Sequence, residues 1–535
     1  MAINRARRAS TTSIAAPVGG LNDRDSIADM GEQFALQLDN WFPGTRSVKL
    51  RGGSVVHATG LPVVGETLIG YQGIYGGSAV NKLFAAAGSE IYDVTVGGAL
   101  LSSEVSGKTN ARWDCVNFAN SGASFLVCVN GADLPMFYNG NAWTPSGTGY
   151  ATAITGVTAS TFTQVAVWKN RLFFVQKNTL SCWYLPVGAI GGAAARLDFG
   201  GVAKLGGRLV AIANVTSSAG DNPDDYFVAI TSEGECLLYQ GTDPTNAATF
   251  ALAGNYRIGR PIANGGDLQG GRFLARIGTD LIAITADGFT TIQSIINSDV
   301  VSQQKTINDT IINTVSDSVN RYKENFGWQA KLCPIQNKLI INVPTQEGSQ
   351  SIQYVMNTIT GAWCRFLGWN ATCFESFQDK IYAIINDAVY VVDQEGANDF
   401  MSSTSQGAVV SGVVKTAFIY PGGRARQKKY TLARPLVITS GALSPLININ
   451  TDLADEPIEG SVDISSGQIG AVWDYSQWQP HSVGAVWGIG RIQFQDWISV
   501  NGLGYCVALK MVVQGDTNKI EWQGWEIQSI KGGLI

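Results

Sequence analysis

The chain has 535 residues, of which 45% are hydrophobic and 15% charged, with 62 glycines and a net charge of −5. This length predicts about two to four domains, and the apolar content is too high for a disordered chain. The charged share lies below the usual value of about 25%. The acidic balance excludes a protein that grips nucleic acid through an overall basic surface.

The sequence predicts a chain that is made and folded in a reducing cytoplasm. Arg5, Arg7 and Arg8 are followed by Ala, Ser and Thr instead of an apolar core, so no secretory signal is expected. No stretch approaches the ~20 apolar residues of a membrane helix. None of the eight cysteines forms a C-x-x-C pair, and we expect buried reduced thiols rather than a disulfide framework.

Residues 1–52 are predicted to form an N-terminal arm followed by a strand that enters a larger β structure. The arm is rich in Ser, Thr and Ala and carries Arg5, Arg7 and Arg8. We expect it to become ordered only against a partner. Further on, Pro43-Gly44 predicts a turn, and Val48–Leu50 predicts a strand that completes the last blade of a ring.

Residues 53–400 repeat one pattern, in which two short apolar strands meet across a turn that contains Gly, Asn or Asp. These hairpins recur every ~40–60 residues, the spacing of propeller blades, and each has an apolar face that a neighbour must cover. We therefore expect an all-β chain built on a β-propeller of about six to seven blades. The hairpins are Lys82–Val94, Phe125–Tyr138, Arg171–Tyr184, Phe227–Gln240, Leu281–Ile295, Lys338–Met356 and Lys380–Val392.

One segment of this region, Asp299–Asn325, departs from the strand pattern. Its apolar residues recur at intervals of three and four, which predicts an amphipathic helix. The helix is expected to lie on the ring, and the alternative is a docking helix for another chain. The apolar positions are Ile307, Ile311, Ile312, Val315, Val319 and Tyr322.

Residues 401–535 have longer strands and predict a second, sandwich-like β domain. Its tryptophans form either the core and an interface or a platform for sugar rings. They are Trp473, Trp478, Trp487, Trp497, Trp522 and Trp525.

A basic stretch, Gly422–Tyr430, contains Arg424, Arg426, Lys428 and Lys429. In a strand, Arg424, Arg426 and Lys428 would share one face and Lys429 would point to the other. The stretch is interpreted either as a charged stripe that meets an acidic neighbour or DNA backbone, or as a solvated edge strand. These four residues, with Arg5, Arg7 and Arg8, are the candidate contacts for a partner or for DNA.

The sequence contains no motif that predicts catalysis. The two histidines, His57 and His481, have no metal-ligand neighbours at the usual spacing, and no phosphate-binding, esterase-type or zinc-protease motif occurs. Two groups of aspartates leave a glycosidase as an alternative, although such clusters more often cap turns. They are Asp221, Asp224 and Asp225, and Asp23, Asp25 and Asp29. No catalytic residue, metal or cofactor is predicted.

Several stretches resemble tail proteins of short-tailed bacteriophages. They are APVGGLNDRDSIADM with LDNWFPGTRSVKLRGG near the start, VWKNRLFF (167–174), VAITSEGECLLYQGTDPTNAATFALAGNYRIGRP (228–261), NTITGAWCRF (357–366), and WDYSQWQP with WISVNGLGYCVALKM near the end. The family is the tail nozzle or hub protein, of the tail tubular protein B type. Each stretch is a signature of fold rather than of catalysis.

The resemblance implies a β-propeller joined to further β domains, assembled as a homo-hexamer beneath the portal and the head–tail adaptor protein. Such a ring lines the DNA exit channel, helps to retain the genome and carries tail fibres, a spike or a needle. We therefore expect a non-enzymatic virion protein of a phage tail, assembled in the host cytoplasm, through which double-stranded DNA passes without sequence recognition. The alternatives are a carbohydrate-active propeller (a depolymerase) and a host-glycan attachment module.

Overall fold

The computed structural model describes residues 9–217, 224–246, 248–262, 270–296, 306–441, 443–458 and 492–531. Among these residues, no helix is long and apolar enough to cross a membrane. The predicted arm residues Arg5, Arg7 and Arg8 lie outside the described residues, as do His481, Trp473, Trp478 and Trp487.

Strands dominate the described chain. The first strands are β1 (Ala9–Ala15), β2 (Gly20–Leu21), β3 (Phe34–Asp39), β4 (Trp41–Pro43), β5 (Val48–Leu50), β6 (Gly53–Thr59), β7 (Gly65–Tyr75), β8 (Ser78–Ala87), β9 (Glu90–Asp93), β10 (Gly98–Ala99), β11 (Asp114–Ala119), β12 (Ser124–Val129), β13 (Met136–Tyr138) and β14 (Trp143–Pro145). The middle strands are β15 (Ile154–Thr155), β16 (Phe162–Trp168), β17 (Arg171–Gln176), β18 (Ser181–Tyr184), β19 (Gly192–Ala193), β20 (Ala195–Asp198), β21 (Leu209–Ser217), β22 (Asp224–Thr231), β23 (Glu235–Gln240), β24 (Ala251–Arg257), β25 (Leu274–Ile277), β26 (Asp280–Thr285) and β27 (Gly288–Thr291).

The last strands are β28 (Gln329–Cys333), β29 (Lys338–Gln346), β30 (Gln350–Asn357), β31 (Trp363–Phe366), β32 (Ala371–Phe377), β33 (Lys380–Ile385), β34 (Ala388–Gln394), β35 (Val410–Thr416), β36 (Lys428–Thr439), β37 (Leu446–Thr451), β38 (Ile492–Phe494), β39 (Ile498–Gly504), β40 (Val507–Gly515) and β41 (Ile520–Lys531). The helices are α1 (Ile292–Ile296) and α2 (Ile312–Tyr322), with short 3-10 turns at Ala159–Thr161, Asp309–Ile311 and Pro334–Gln336.

The chain divides into two compact units. Unit 1 comprises Met1–Val55, Tyr354–Gly368 and Val392–Ile535, and unit 2 comprises Val56–Gln353 and Trp369–Val391. The domain boundaries predicted at residues 52 and 400 differ from the observed ones. The reason is that the strands that precede the ring pair with C-terminal strands of unit 1.

Unit 2 is a β-propeller, and the fold class predicted from the sequence is confirmed. Its blades are sheets that follow one another along the chain: β7-β8-β9, β11-β12-β13-β14, β16-β17-β18-β20, β21-β22-β23-β24, β25-β26-β27, then the strands β28 to β30, and last β32-β33-β34 with β6 and β10. Neighbouring strands such as β7 and β8 are antiparallel, whereas β10 runs parallel to β6. The predicted hairpins are the strand pairs β8–β9, β12–β13, β17–β18, β22–β23, β26–β27, β29–β30 and β33–β34.

The core of unit 2 lies between adjacent blades. Phe137 and Phe174, from successive sheets, belong to one buried cluster, and Phe173 and Phe227 belong to the next. A further cluster joins Leu68 and Ala85 of the first blade to Ile384 of the last. Since the last blade packs on the first, the ring is closed.

Hydrogen bonds also join the innermost strands around the ring. Among the described strands, each of these has one edge that pairs with no other strand, so its N–H and C=O groups need other partners. Gln164 accepts from the N–H of Ile212 and donates to its C=O, both at 2.8 Å, and Gln329 bonds Phe374 in the same way at 2.7 and 2.9 Å. The other links are Asn117 to Gly70 O, Val165 N–H to Asp114, Thr216 N–H to Thr279 O, Ala330 N–H to Arg272 O and Thr372 to Gly65 O.

The predicted helix exists but is shorter than expected. It covers Ile312–Tyr322 after a 3-10 turn, and Ile311, Val315 and Val319 are buried. The helix packs on the propeller, against β29 and β27, as the first interpretation proposed. The beginning of the predicted segment, at Asp299, lies outside the described residues.

One strand prediction near the N-terminus is wrong. Val48–Leu50 does not complete the last blade, because β5 pairs with β4 and β41 in unit 1. The next strand, β6, lies beside β34 in the last blade. The prediction therefore placed the completing strand a few residues too early.

The described strands of unit 1 form two sheets. One has the order β38-β36-β41-β5-β4, with β1 beside β41 and β39 beside β36, and the other contains β31, β2, β3, β35, β40 and β37. Trp41 and Trp522 are fully buried with ring centroids 6.0 Å apart. The two sheets face each other at Gly412 of β35, where a Cβ atom would lie 2.7 Å from Trp41 Nε1. This agrees with the expected sandwich-like domain.

The expectation of uniformly reduced thiols is wrong at one pair. Cys115 and Cys128 are direct antiparallel neighbours on β11 and β12, with Cα atoms 4.2 Å apart, and they form a disulfide. The reason is geometric, since directly opposed residues on antiparallel strands bring their Cβ atoms close enough for the two sulfur atoms to bond. The other six cysteines are buried thiols.

Candidate functional site

The basic stretch predicted as a partner or DNA contact is a turn followed by a strand, not one continuous strand. Gly422 and Gly423 adopt positive φ angles of 70° and 103°, and β36 begins only at Lys428. Arg424 and Arg426 therefore precede the strand, and the expected common face with Lys428 does not form.

The four cations of this stretch differ in exposure. Arg424 is exposed, donates to Asp29 Oδ1 at 2.5 Å and lies 4.3 Å from the centre of the Tyr420 ring. Arg426 and Lys429 are also exposed. Lys428 is buried, and its Nζ donates to the carbonyls of Gly423 and Tyr505. Burial lowers the pKa of Lys428, and its two hydrogen bonds hold the side chain against the backbone of unit 1.

The aspartate groups weighed as a glycosidase site have separate local partners. Lys169 and Thr216 donate to Asp225, which lowers the pKa of this carboxyl group. Asn22 and Arg24 do the same for Asp25. Asp221 lies outside the described residues. Among the described residues, no group of three or more His, Cys, Asp or Glu is placed to hold a metal ion.

The described tryptophans of unit 1 are mainly core residues. Trp522 and Trp525 are fully buried, whereas Trp497 is 37% exposed and lies 4.6 Å from the Arg434 guanidinium. His57 lies in unit 2, where its Nε2 is 2.7 Å from Val94 O and its ring contacts Tyr382.

A polar cavity of about 420 Å³ lies between the innermost strands of the propeller, and it is named the axial cavity here. Residues of β7, β11, β28 and β32 line it. Its charged groups are Asp114, Arg272, Arg276, Lys331 and Glu375. Cavities of this size accept small ligands, and both signs of charge favour a polar one.

The carboxyl group of Asp114 links three elements at this cavity. It accepts the Val165 N–H at 3.1 Å and the Gly271 N–H at 2.6 Å. Burial raises its pKa to about 6, and the two N–H donors and the nearby Arg272 oppose that shift. Asp114 can therefore exchange a proton in mildly acidic solution.

Arg272 is held beside the cavity by several contacts. Its Nη2 donates to Glu66 O and to Thr67 Oγ1, and its guanidinium lies 4.9 Å from the centre of the Phe326 ring. Arg112 lies 4.0 Å from the same ring centre, so two cations flank Phe326. Arg112 in turn pairs with Glu66, which offsets part of the positive charge.

The cavity offers hydrogen bonding and a titrating carboxyl group but no activated thiol among the described residues. Burial raises the pKa of Cys373 to about 11, so this thiol stays protonated at neutral pH. Lys331 is paired with Glu375. The sequence did not indicate the charged residues of the axial cavity, because they lie in separate polar strands and share no motif spacing.

A second buried polar cluster joins the three segments of unit 1 and is named the junction here. Arg51 donates to Asn40 Oδ1, to the carbonyls of Gly52 and Leu367, and to both carboxylate oxygens of Asp399, at 2.6–2.9 Å. The side chains of Arg51 and Asp399 are only 1% and 7% exposed.

Backbone geometry explains the glycines that follow Arg51. A Cβ atom at Gly52 would lie 2.5 Å from Gln394 C, and one at Gly53 would lie 2.3 Å from Ala397 O. Gly52 N–H also donates to Asp393 Oδ1 at 2.9 Å. The RGG sequence is therefore required by close packing between two chain segments.

The same junction contains the stretch NTITGAWCRF. Arg365 donates to both carboxylate oxygens of Asp39, at 2.7 and 2.9 Å. Asn357 donates to Pro43 O at 2.9 Å. Two of the stretches that carry the phage-tail resemblance thus contact each other, although more than 300 residues separate them in sequence.

Comparison with known proteins finds similarity at the level of fold. No family model and no curated protein matches the chain. Similar solved structures include the β-propeller domain of Cps50 (Swd1) from Myceliophteria thermophila, at 11% identity and a TM-score of 0.35, covering 58% of this chain and 93% of that one.

Two further similar structures are YCF48 from Cyanidioschyzon merolae and the extracellular domain of a hybrid two-component system from B. thetaiotaomicron. The first is 12% identical with a TM-score of 0.35, covering 62% of this chain and 96% of that one. The second is 11% identical with a TM-score of 0.37, covering 64% of this chain and 40% of that one. These low identities and TM-scores give no information about the function of this chain.

Proposed function

We propose that this chain is a structural virion protein of a bacteriophage tail. It forms the nozzle or hub ring, a homo-hexamer below the portal and the head–tail adaptor protein. The ring lines the DNA exit channel, helps to retain the genome and carries tail fibres, a spike or a needle. The chain acts as a scaffold and not as an enzyme.

The junction of unit 1 is the observation that carries this proposal. Asp39, Asn40 and Arg51 come from one stretch that resembles nozzle proteins, and Asn357 and Arg365 come from another. Their polar groups bond to each other and to neighbouring backbone. Because these residues serve to hold the chain together, a resemblance at these positions supports a shared architecture.

The closed propeller supports a mechanical role for the protein. Its blades pack on one another around the whole ring, and hydrogen bonds link the innermost strands. A closed ring has no open end from which blades can separate, so it suits a wall that must stay rigid while the genome passes. A β-propeller fold does not by itself determine what a protein does, because function depends on the residues of specific sites.

The charge of the chain supports the passage of DNA without tight binding. The net charge is −5. Among the predicted contact residues that the structure describes, Lys428 is buried and Arg424 is paired with Asp29. Fewer available cations mean fewer phosphate contacts, and each contact removed lowers the salt-dependent affinity. Arg426, Lys429 and the arm residues Arg5, Arg7 and Arg8 are the proposed partner contacts.

Electron microscopy of the purified chain tests this function. The chain is mixed with the head–tail adaptor protein and imaged by negative stain, with each protein alone as the control. A six-fold ring that contains both proteins is the expected result. A chain that stays monomeric beside assembled adaptor contradicts the proposal, and so does release of reducing sugar from host polysaccharide by the purified chain.

A further inference from the structure

The axial cavity has a floor, which is formed by the segment just before β25. This segment contacts the first residues of three other innermost strands. Gly271 N–H donates to Asp114 Oδ2 at the start of β11. Arg272 Nη2 donates to Glu66 O near the start of β7, and Arg272 O accepts the N–H of Ala330 near the start of β28. The segment therefore bridges the ring at this end of the cavity.

Glycine is required in this floor. Gly270 has a φ angle of 77°, and a Cβ atom there would lie 2.8 Å from Asp114 Oδ2. A Cβ atom at Gly271 would lie 3.3 Å from Gln164 Nε2. A larger residue at Gly270 would therefore push the segment away from Asp114 and open the floor of the cavity.

The charged side chains of the cavity are distributed from this floor towards solvent. Arg272 and Asp114 lie at the floor, where β25 and β11 begin. Lys331 and Glu375 lie further along β28 and β32, and they form an ion pair there. Arg276, the third residue of β25, is exposed. A small solute can therefore enter the cavity from the side on which Arg276 lies.

The net charge of the cavity lining is positive, although that of the whole chain is −5. Three cations outnumber two carboxylates, which leaves a formal charge of +1. The cations are Arg272, Arg276 and Lys331, and the carboxylates are Asp114 and Glu375. Concave sites with an excess of one sign concentrate the electric field and attract the opposite charge. The charge of the cavity therefore suits an anion.

Two of these cations have hydrogen-bond donors that no described protein group accepts. Lys331 Nζ carries three N–H donors, and among the described residues its acceptor is Glu375 alone. Arg276 makes one long hydrogen bond in the described part of the chain, from Nη2 to Asn214 O at 3.4 Å. Arg272 differs, because its Nη2 is fully used and its Nη1 is buried, so it contributes charge and not hydrogen bonds.

The carboxylates of the region are already engaged. Each oxygen of Asp114 accepts a backbone N–H, and Glu375 Oε1 accepts two donors. Asp225, which attracts Arg276 from outside the lining, is itself paired with Lys169. No group of three or more acidic, His or Cys side chains among the described residues is placed to hold a metal ion. The unused groups of the cavity therefore favour an anion over a cation.

We propose that the axial cavity binds a small oxyanion, that is, a molecule with a phosphate or carboxylate group. Lys331 and Arg276 donate to its oxygen atoms, and Arg272 adds positive charge beneath it. Hydrogen bonds from ionised donors to oxyanions are shorter and stronger than neutral ones. The volume of about 420 Å³ also admits a molecule larger than phosphate itself. This inference goes beyond the proposed function and does not depend on it.

Isothermal titration calorimetry tests the site in the full-length chain. Inorganic phosphate and citrate are titrated separately at low chloride concentration, and the two titrations distinguish a phosphate ligand from a carboxylate ligand. We expect one saturable site per chain for at least one of the two anions, with an affinity that falls as salt is added. The absence of saturable binding of both anions at millimolar concentration would overturn the proposal.

Removal of either donor is expected to weaken anion binding at least tenfold. The two variants are Lys331→Met and Arg276→Gln. Lys82→Met is the matched control, because Lys82 pairs with Asp93 outside the cavity and its side chain is 32% exposed, against 26% for Lys331. The control should bind the anion as the native chain does. If Lys331→Met and Arg276→Gln both retain native affinity, the anion lies elsewhere and the proposal is overturned.

Removal of the competing carboxylate should have the opposite effect on affinity. Glu375→Gln raises the positive charge of the lining and leaves Lys331 without its ionised partner, so the anion should bind severalfold more tightly. A merely structural ion pair would lower the melting temperature in both single variants without moving the affinity in opposite directions. The double variant Lys331→Met/Glu375→Gln has the native net charge but lacks the donor, and it should bind more weakly than the native chain. Native affinity in the double variant would overturn the proposal.

A short DNA duplex is the competitor that separates a small anion from a nucleic-acid backbone. Displacement of bound phosphate or citrate by the duplex would overturn the small-molecule ligand, and independent binding of the small anion would support it. The site and the nozzle function also fail separately. A chain that forms the six-fold ring but binds neither anion retains the nozzle function and overturns the anion site. A chain that stays monomeric beside the adaptor but binds an anion through Lys331 does the reverse.

Discussion

Two arginines, Arg51 in the junction and Arg272 beside the axial cavity, illustrate opposite ways of placing a cation inside a β protein. Every N–H group of the Arg51 guanidinium has an acceptor, and its partner carboxylate is buried with it. Arg272 Nη1 has no acceptor among the described residues, and the nearby Asp114 has a raised pKa.

The difference shows which region is fixed and which is adaptable. A fully bonded ion pair tolerates only one arrangement of its segments, so the junction holds distant parts of unit 1 in register. An incompletely bonded group beside a polar cavity can accept water, a ligand or a proton. The stability of the residues around the axial cavity therefore depends on solution conditions more than that of the junction does.

Removal of Arg51 is expected to give the largest effect. Arg51→Met leaves Asp399 buried without a counter-charge, and the free energy of unfolding should fall by about 3–5 kcal/mol. Urea denaturation followed by circular dichroism measures this loss. Arg51→Lys, which keeps the charge but cannot bond both carboxylate oxygens in one plane, should lose less. Equal stability of Arg51→Met and the native chain would refute the junction's role.

The pH dependence of the axial cavity is the second test. The folded pKa of Asp114, about 6, lies above the usual value near 3.8, so the folded state binds the extra proton between pH 4 and 6. The Asp114 contribution to stability is therefore fully present below pH 4 and is lost as pH rises through 6.

The comparison with Asp114→Asn isolates this contribution. Relative to the variant, the native chain should lose up to about 3 kcal/mol of unfolding free energy between pH 4 and pH 7. Urea titrations at each pH measure the difference. A difference that is constant with pH, or that grows in favour of the native chain as pH rises, would contradict the raised pKa.

Truncation of one inter-blade link is expected to have a smaller effect. Gln329→Ala leaves the N–H and C=O of Phe374 without their side-chain partner, and the loss should be about 1–3 kcal/mol. Gln350→Ala, at an exposed strand position, is the control. If both variants unfold at the same urea concentration, the innermost links do not contribute to ring stability.

The smallest effect is expected at the surface pair of Arg424 and Asp29. Both side chains are more than 60% exposed, so solvent screens the attraction. Arg424→Ala should leave the free energy of unfolding almost unchanged, and any change should become smaller still at high salt. A loss of stability as large as that of Arg51→Met would show that solvent exposure does not explain the different contributions of the two arginines.

The sequence predicted the outer hairpins of the blades better than their innermost strands. Pairs such as β12–β13 are continuous apolar runs joined by a turn at Asn130-Gly131, and both signals are local. The innermost strands line a polar axis and carry Asp114, Asn117, Gln164 and Gln329. Because these strands mix polar and apolar residues, they lack the regular alternation from which strands are predicted.

The candidate sites depend on contacts that no local pattern contains. Arg51 and Asp399 are 348 residues apart, and Asp114 and Gly271 are 157 residues apart. The basic stretch was visible in the sequence, but the turn at Gly422-Gly423 separates its cations in a way that alternation alone does not predict. Its role at a partner or at DNA stays a prediction.

The position of β6 beside β34 has a consequence for how the protein is made. About 330 residues separate these strands, so the ribosome completes β6 long before the neighbour of β6 has been synthesised. At roughly 5–20 residues per second, β6 waits about 15–65 s. During that interval the nascent chain gains its blades one after another, and the ring cannot close before β34 has been synthesised.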